Sequence, residues 1–383
     1  VRARRSFPAL AILSTAVLLL AGLPGAEEAR AEDVWKGVER VVAVGDVHGD
    51  YDQFLTVLKA AGVVDEKDRW SGGRTHLVQV GDRLDRGPDS RKVMDLMMRL
   101  EKEAPKAGGY VHSLIGNHEA MNVLGDLRYV SEGEYAAFVG PDSAFLRMEL
   151  WKRIVKLRRS KGEPPPGPDD QSTFDAEHPL GWVEHRRAFS PDGTYGKWIG
   201  RQNAVIQIDD SIFLHGGLSP KYADFSIRDL NDRIRKELQD ADPTSALLAS
   251  DGDGPLWFRG LARGDPALAD HLQAVLQRLG ARRMVVGHTP TPGLVLPLYE
   301  GRLVMIDVGL SKVYGGPPAC LVLEEGRAYA LHRGKRLLLP EGDRSVADYV
   351  REVMALEPDP SRLKALLEGL EAPAVRATPA TAP

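Results

Sequence analysis

Five times along this chain a short apolar run breaks abruptly into a glycine-bounded polar cluster. Residues 41–44 lead into Gly45-Asp46-Val47-His48-Gly49-Asp50, and residues 77–80 into Gly81-Asp82-Arg83-Leu84-Asp85-Arg86-Gly87. Residues 111–115 lead into Gly116-Asn117-His118-Glu119, 212–214 into His215-Gly216-Gly217, and 284–286 into Gly287-His288-Thr289. The continuous run 41–44 reads as a strand buried on both faces, and the others as further short strands. Helical patterns fall between several of them, over 50–61, 90–103 and 267–279, and a further strand is expected at 304–306. Strands alternating with helices predict an α/β layered domain. Residues 204–208 and 211–214, joined by Asp209-Asp210, predict a hairpin, so the sheet system is mixed. Glycine lets the backbone turn sharply at a strand end, and open α/β sheets bind ligands beyond the carboxyl ends of their strands. The polar clusters therefore mark one chemical edge.

A single Asp-x-His after a strand is usually a packed or surface pair. Five clusters on successive strand ends are not a chance pattern. Together they supply Asp, His, Asp, Asn, His and His, a donor set that suits two divalent ions such as Mn, Fe or Zn. Two ions about 3.5–4 Å apart, bridged by one carboxylate, activate a water and clamp a phosphoryl group. The only cysteine, Cys320, excludes an intrachain disulfide and any cysteine-based zinc or iron–sulfur centre. Fifty Lys+Arg against 54 Asp+Glu give a net charge of -4, which offers no global basic field for nucleic acid. No phosphate-binding Gly-x-x-x-x-Gly-Lys-Ser/Thr loop and no Gly-x-Ser-x-Gly elbow occurs.

The first four clusters, the one at His215 extended through Leu218-Ser219-Pro220, resemble the signature blocks of the calcineurin-like metallophosphoesterases. They match the phosphoprotein phosphatase branch best. Met121-Asn122 with Gly125-Asp126-Leu127-Arg128-Tyr129-Val130 is most similar to its Shewanella-like members, a bacterial-type subgroup. The resemblance covers roughly residues 38 to 335. It implies an αββα sandwich of mixed β-sheets flanked by helices. It also implies that Asp46 and His48 hold a first metal ion, that Asp82 bridges two, and that Asn117, His215 and His288 complete the second site. Manganese is the first expectation, with iron or zinc as alternatives. His118 would be the general acid, oriented by Asp85. Arg86 would grip two phosphate oxygens through its forked donors, with Arg259 the candidate second phosphate arginine. A water held between the ions would attack phosphorus directly, without a phosphoenzyme. The implied activity is hydrolysis of a phosphomonoester, with phosphoprotein the leading substrate. Nucleotides or other small phosphate esters are the rival, and a non-catalytic phosphate-binding protein of this fold is the alternative class. The chain departs from the animal-type enzymes at Ile115, where they carry arginine, and at Ile306-Asp307-Val308-Gly309-Leu310-Ser311, where they carry a Ser-Ala-Pro-Asn-Tyr-like segment.

The ends and the middle read differently. Arg2, Arg4 and Arg5 precede an apolar run over 9–20 and a small-residue Ala29-Arg30-Ala31, the pattern of a signal peptide over 1–31. Arg4-Arg5-Ser6-Phe7 also resembles a twin-arginine signal. The chain is thus expected to be exported, periplasmic or secreted, with no stable membrane span after cleavage; an uncleaved anchor is the alternative. The phosphoesterase domain is expected over 32–338, including a helical insertion over 121–199. About 95 residues separate Glu119 from His215. Connections longer than about 15 residues usually do a job, so the insertion is expected to overhang the site. Ser131 and Glu134 form a candidate capping box. A helix is expected over 143–159 with Phe145, Leu146, Leu150, Ile154 and Leu157 inward, followed by an exposed Pro-rich tip at 162–168. The other histidines, His76, His112, His178, His185, His271 and His332, are expected to be structural or surface residues. A helical extension is expected over 339–371 and a disordered Ala/Pro/Thr tail over 372–383.

Overall fold

Val41, Val42, Ala43 and Val44 are all buried, as a run without polar interruption requires. They belong to one of two six-stranded sheets in the computed structural model, which describes residues 32–242, 247–341 and 344–372. The expected signal peptide over 1–31 and residues 373–383 of the expected tail lie outside the described residues. In chain order the strands are β1 (Val34–Trp35), β2 (Arg40–Val44), β3 (His76–Gln79), β4 (Tyr110–Ser113), β5 (Val205–Ile208) and β6 (Ser211–Leu214). They continue with β7 (Arg283–Val286), β8 (Leu296–Leu298), β9 (Leu303–Met305), β10 (Ala319–Glu324), β11 (Arg327–His332) and β12 (Lys335–Leu338). One sheet runs β12-β11-β10-β2-β3-β4 and the other β1-β5-β6-β7-β9-β8.

The helices are α1 (Tyr51–Ala60), α2 (Ser90–Glu103), α3 (Asn117–Leu124), α4 (Glu132–Ala136), α5 (Ser143–Ser160) and α6 (Pro168–Glu177). After them come α7 (Trp182–Phe189), α8 (Thr194–Ile199), α9 (Ile227–Asp240), α10 (Ala269–Leu279), α11 (Val346–Met354) and α12 (Ser361–Glu371). β2, β3 and β4 are mutually parallel, as are β6, β7 and β9. Their carboxyl ends carry the polar clusters. Residues of both sheets share one buried apolar cluster, so the sheets meet over a common core. This is the mixed, helix-flanked double sheet expected from the sequence.

The expected hairpin is β5–β6, with Ile208 opposite Ser211. Its turn residue Asp209 takes a positive φ of 51°, and its carboxylate accepts hydrogen bonds from Gly37 N and Val38 N. Two further hairpins, β10–β11 and β11–β12, go beyond the expected strands, although β10 itself opens on the buried apolar run Ala319-Cys320-Leu321-Val322. β11 buries only alternate residues, Ala328, Ala330 and His332. Their turns, Glu325-Gly326 and Arg333-Gly334, carry positive φ at both positions, the mirror-image geometry that two-residue hairpins favour.

The insertion contains five helices, α4 to α8. Its capping box forms as expected: Glu134 N donates to Ser131 Oγ (3.3 Å) and Ser131 N to Glu134 Oε2 (2.9 Å). α5 corrects one expectation. Phe145 points outward and is 57% exposed, and only Ser143 of that helix is buried. α5 lies outermost, against α6 and α7, so its apolar side chains are half-covered rather than enclosed. The Pro-rich tip opens directly into α6, where Phe174 is buried between the rings of Trp151 (5.0 Å) and His178 (4.2 Å). Tyr195 and Trp198 of α8 are core residues, tied to α2 through Asp95 (2.7 Å) and Glu101 (2.7 Å).

Candidate active site

The metal-type donors are brought together by backbone that few residues tolerate. His48, Asp82, Asp85, Arg86 and His288 all have positive φ, between 45° and 68°. Residues with a Cβ adopt this region only where the surroundings enforce it, and such strain gathers at functional sites. Neighbouring loops then press together through glycine: a Cβ on Gly116 would run into the Asp82 carboxylate. Glu119, fully buried on the first turn of α3, staples these loops. It accepts from Gly116 N (2.7 Å), Asp82 N (2.8 Å) and Arg83 N (2.9 Å), and pairs with the buried Arg83 Nε at 3.2 Å.

Asp82 sits at the centre. Its Oδ1 accepts from His118 N at 3.0 Å, which frees Oδ2 toward the imidazoles. His215 Nε2 lies 3.2 Å from that oxygen, with His48 Nε2 and His118 Nε2 each 3.8 Å away. Asp82 is shared by two tight groups of potential ligand atoms, one with His48 and His118 and one with His215 and His288. Asn117 Oδ1 is 2.9 Å from His215 Nε2. Asp46 accepts from His288 N (3.0 Å) and stands 3.9 Å from His48 Nε2. All six expected ligands thus converge. Second hydrogen bonds fix their rings: His48 Nδ1 faces Leu84 O (3.0 Å) and His215 Nδ1 faces Val80 O (3.0 Å), leaving each Nε2 for the site.

The electrostatics fit a cation. Burial, reinforced by Asp307 and Asp82, pushes the Asp46 carboxyl well above the usual range. Burial likewise raises Asp307 to about 6. For Asp82 burial also acts upward, but His215, His118 and His48 outweigh it and hold the carboxyl well below its usual value. Burial lowers His48 to about 3 and His288 to about 2, so both rings are neutral and able to coordinate. Three buried carboxylates crowded together with neutral imidazoles are a costly arrangement without positive charge between them. Divalent metal ions fit this donor set.

Above the donors opens a small cavity of about 90 Å³. His118 reaches it with Nδ1 held by Asp85 Oδ2 at 2.5 Å and Nε2 toward Arg86 NH2 at 3.5 Å. Burial lowers the His118 pKa, but Asp82 and Asp85 more than compensate and the ring stays above its ordinary value. Arg86 is clasped between the rings of Tyr129 (4.6 Å) and Tyr314 (5.5 Å), and its Nε is buried without a partner. Arg259 also lines the cavity, donating through NH1 to His288 O (2.5 Å) and Thr289 Oγ1 (3.1 Å). Tyr129, from the insertion, stands at the rim beside His118 (5.1 Å) and is 39% exposed. Asp307, Tyr314 and Trp257 also line the cavity and had no assigned role in the sequence. The polar break after 304–306 is the signal that could have found Asp307. The remaining histidines lie elsewhere; His76 and His112, for example, pair with each other at 3.0 Å.

This fold and this site belong together: the chain is a calcineurin-like phosphoesterase, the family whose model matches residues 39–292. Within the known proteins it is 31% identical over 283 residues to Shewanella-like protein phosphatase 2 of Arabidopsis thaliana, covering 72% of each chain. It is 26% identical over 311 residues to Shewanella-like protein phosphatase 1 of Plasmodium berghei, covering 78% of this chain and 74% of that one. A crystal structure of a cold-active protein-tyrosine phosphatase from a psychrophilic Shewanella superposes with a TM-score of 0.62 at 28% identity, over 84% of this chain and 87% of that one. The chain is a hydrolase of phosphate esters.

Proposed function

We propose that this chain is a dimetal phosphomonoesterase acting on phosphoprotein. Asp46, His48 and Asp82 hold one ion, and Asp82, Asn117, His215 and His288 hold the other, with manganese the favoured metal. When bound, the ions supply an activated water as nucleophile and positive charge against the phosphoryl oxygens. The chain supplies the rest. Arg86 and Arg259, both lining the cavity, hold the phosphate; the stacked tyrosines keep the Arg86 guanidinium in one plane. His118 gives its Nε2 proton to the ester oxygen as the phosphorus–oxygen bond breaks, and Asp85 stabilises the imidazolium before the transfer.

The observation that carries this reading is Asp82, shared by two ligand groups directly beneath a cavity lined by His118 and both arginines. Hydrolysis of p-nitrophenyl phosphate by the manganese-loaded protein tests it, with EDTA abolishing activity and Asp82→Asn losing it. Turnover that survives both would overturn the reading, as would at most one ion per chain at full activity.

The rim of Tyr129, Tyr314 and Trp257 favours a planar aromatic leaving group, so phosphotyrosine is the preferred residue. The name of the Shewanella structural neighbour supports the same choice. A phosphopeptide panel of phospho-Ser, -Thr and -Tyr decides it. Export is proposed from the pattern over 1–31; among the described residues no helix is long and apolar enough to cross a membrane. Cell fractionation tests the location.

A further inference from the structure

The insertion does more than overhang the cavity. Its first part, residues 122–137, grips the turn that carries Asp85, Arg86 and Gly87 at each of those three residues. Asp85 N donates to Glu134 Oε1 (3.0 Å), Arg86 N donates to Tyr129 O (3.0 Å), and Ser131 Oγ donates to Gly87 O (3.1 Å). The grip has something to resist. Asp85 and Arg86 both sit at φ 68°, a left-handed pair that side chains disfavour.

Asn122 works on the same turn from α3. Its Nδ2 donates to Asp85 Oδ1 at 2.9 Å and to His118 O at 3.1 Å. With one oxygen taken by Asn122, the carboxylate presents the other to His118 Nδ1. Asn122 is itself tied down, because its carbonyl accepts from Arg186 NH1 of α7 at 2.5 Å. Asn122 and Glu134 are buried, and neither lines the cavity.

We propose that Asn122 and Glu134 are positioning residues for ester hydrolysis, so that one segment of the insertion sets both the proton donor and the phosphate clamp. Asn122 fixes the Asp85 carboxylate and through it the tilt of His118. Glu134 fixes the backbone on which Asp85 and Arg86 ride. The proposal rests on the phosphatase reading above, with His118 as proton donor.

The test uses manganese-loaded protein and two esters, p-nitrophenyl phosphate, whose leaving group needs little protonation, and phenyl phosphate, whose leaving group needs more. Asn122→Ala should slow phenyl phosphate about tenfold more than p-nitrophenyl phosphate, with metal content and KM near wild type, because a misaligned acid costs most where the proton matters. Glu134→Ala should lower kcat for phenyl phosphate and raise KM for both esters, since Arg86 shares the turn. Glu134→Gln keeps one oxygen acceptor for Asp85 N, though none for Ser131 N, and should restore most of both. Where Asn122→Ala does not yield folded protein, Asn122→Ser carries the same comparison. A merely structural role predicts an equal loss with both esters; that result, or Glu134→Gln as damaging as Glu134→Ala, overturns the proposal. His118→Asn separates the layers. If it too shows no leaving-group dependence, the acid assignment falls and the proposal with it. If it shows the dependence and Asn122→Ala does not, the proposal alone falls.

Discussion

Glu119 never reaches the cavity, yet the site depends on it. One carboxylate satisfies three backbone amides and pairs directly with Arg83, whose terminal nitrogens have no hydrogen-bond partner among the described residues. Glu119→Ala leaves a buried guanidinium uncompensated, so denaturant unfolding should show a loss of about 3–5 kcal/mol. His118→Asn is the opposite kind of change. It should lower turnover by about 10²–10⁴ while leaving metal content near wild type, as metal analysis alongside kinetics would show. The sequence named both residues within Gly116-Asn117-His118-Glu119 but separated only one by role. A histidine advertises acid–base chemistry, whereas the amides that Glu119 collects come from two separate loops, at Asp82-Arg83 and at Gly116. The same limit hid the backbone: nothing in Asp82, Asp85 or Arg86 announces a positive φ, because folded neighbours impose it.

At the scale of elements, the strands that run into polar clusters were legible, whereas β10, a continuous apolar run with no such cluster, and the alternating β11 were not. β2, β3, β6 and β7 are buried on both faces and could be read directly. β11 shows half its residues to solvent; α5 was legible as a helix, but it lies too far out for its expected inward face to be buried. Two predictions belong to the insertion. Burial, then the neighbouring Asp85, raises the Glu134 carboxyl from 4.5 to about 7. The folded chain therefore keeps a proton that the unfolded chain has released, and this group's contribution to stability falls as pH rises from about 4.5 to about 7. Glu134→Gln removes the titration, so thermal scans at about pH 5 and about pH 8 should differ less in the variant than in wild type. The second concerns Tyr129 at the rim. Tyr129→Ala should cut kcat/KM about three- to tenfold for aryl phosphates and less for alkyl phosphates, the size of one lost aromatic contact. Equal losses would deny it a part in selectivity.

Across the whole molecule, the donors are divided between the sheets. Asp46, His48, Asp82 and Asn117 follow β2, β3 and β4 of one sheet, while His215 and His288 follow β6 and β7 of the other. That division turns the site into a thermodynamic seam. With ions bound, chain segments could not part along it without surrendering ligands, so ion occupancy and the cooperativity of unfolding would be one linked equilibrium. Free metal at about a thousand times its dissociation constant would add about 4 kcal/mol by mass action, and the unfolding midpoint should climb with metal concentration and drop in chelator. Asp46→Ala and His215→Ala, taken from opposite sheets, should each remove most of that climb. The double variant should lose little more than either alone, the non-additivity expected of partners in a shared bond. The ions that serve catalysis would then also be the rivets of the fold, and a cell's metal supply would set how long the protein lasts as well as how fast it works.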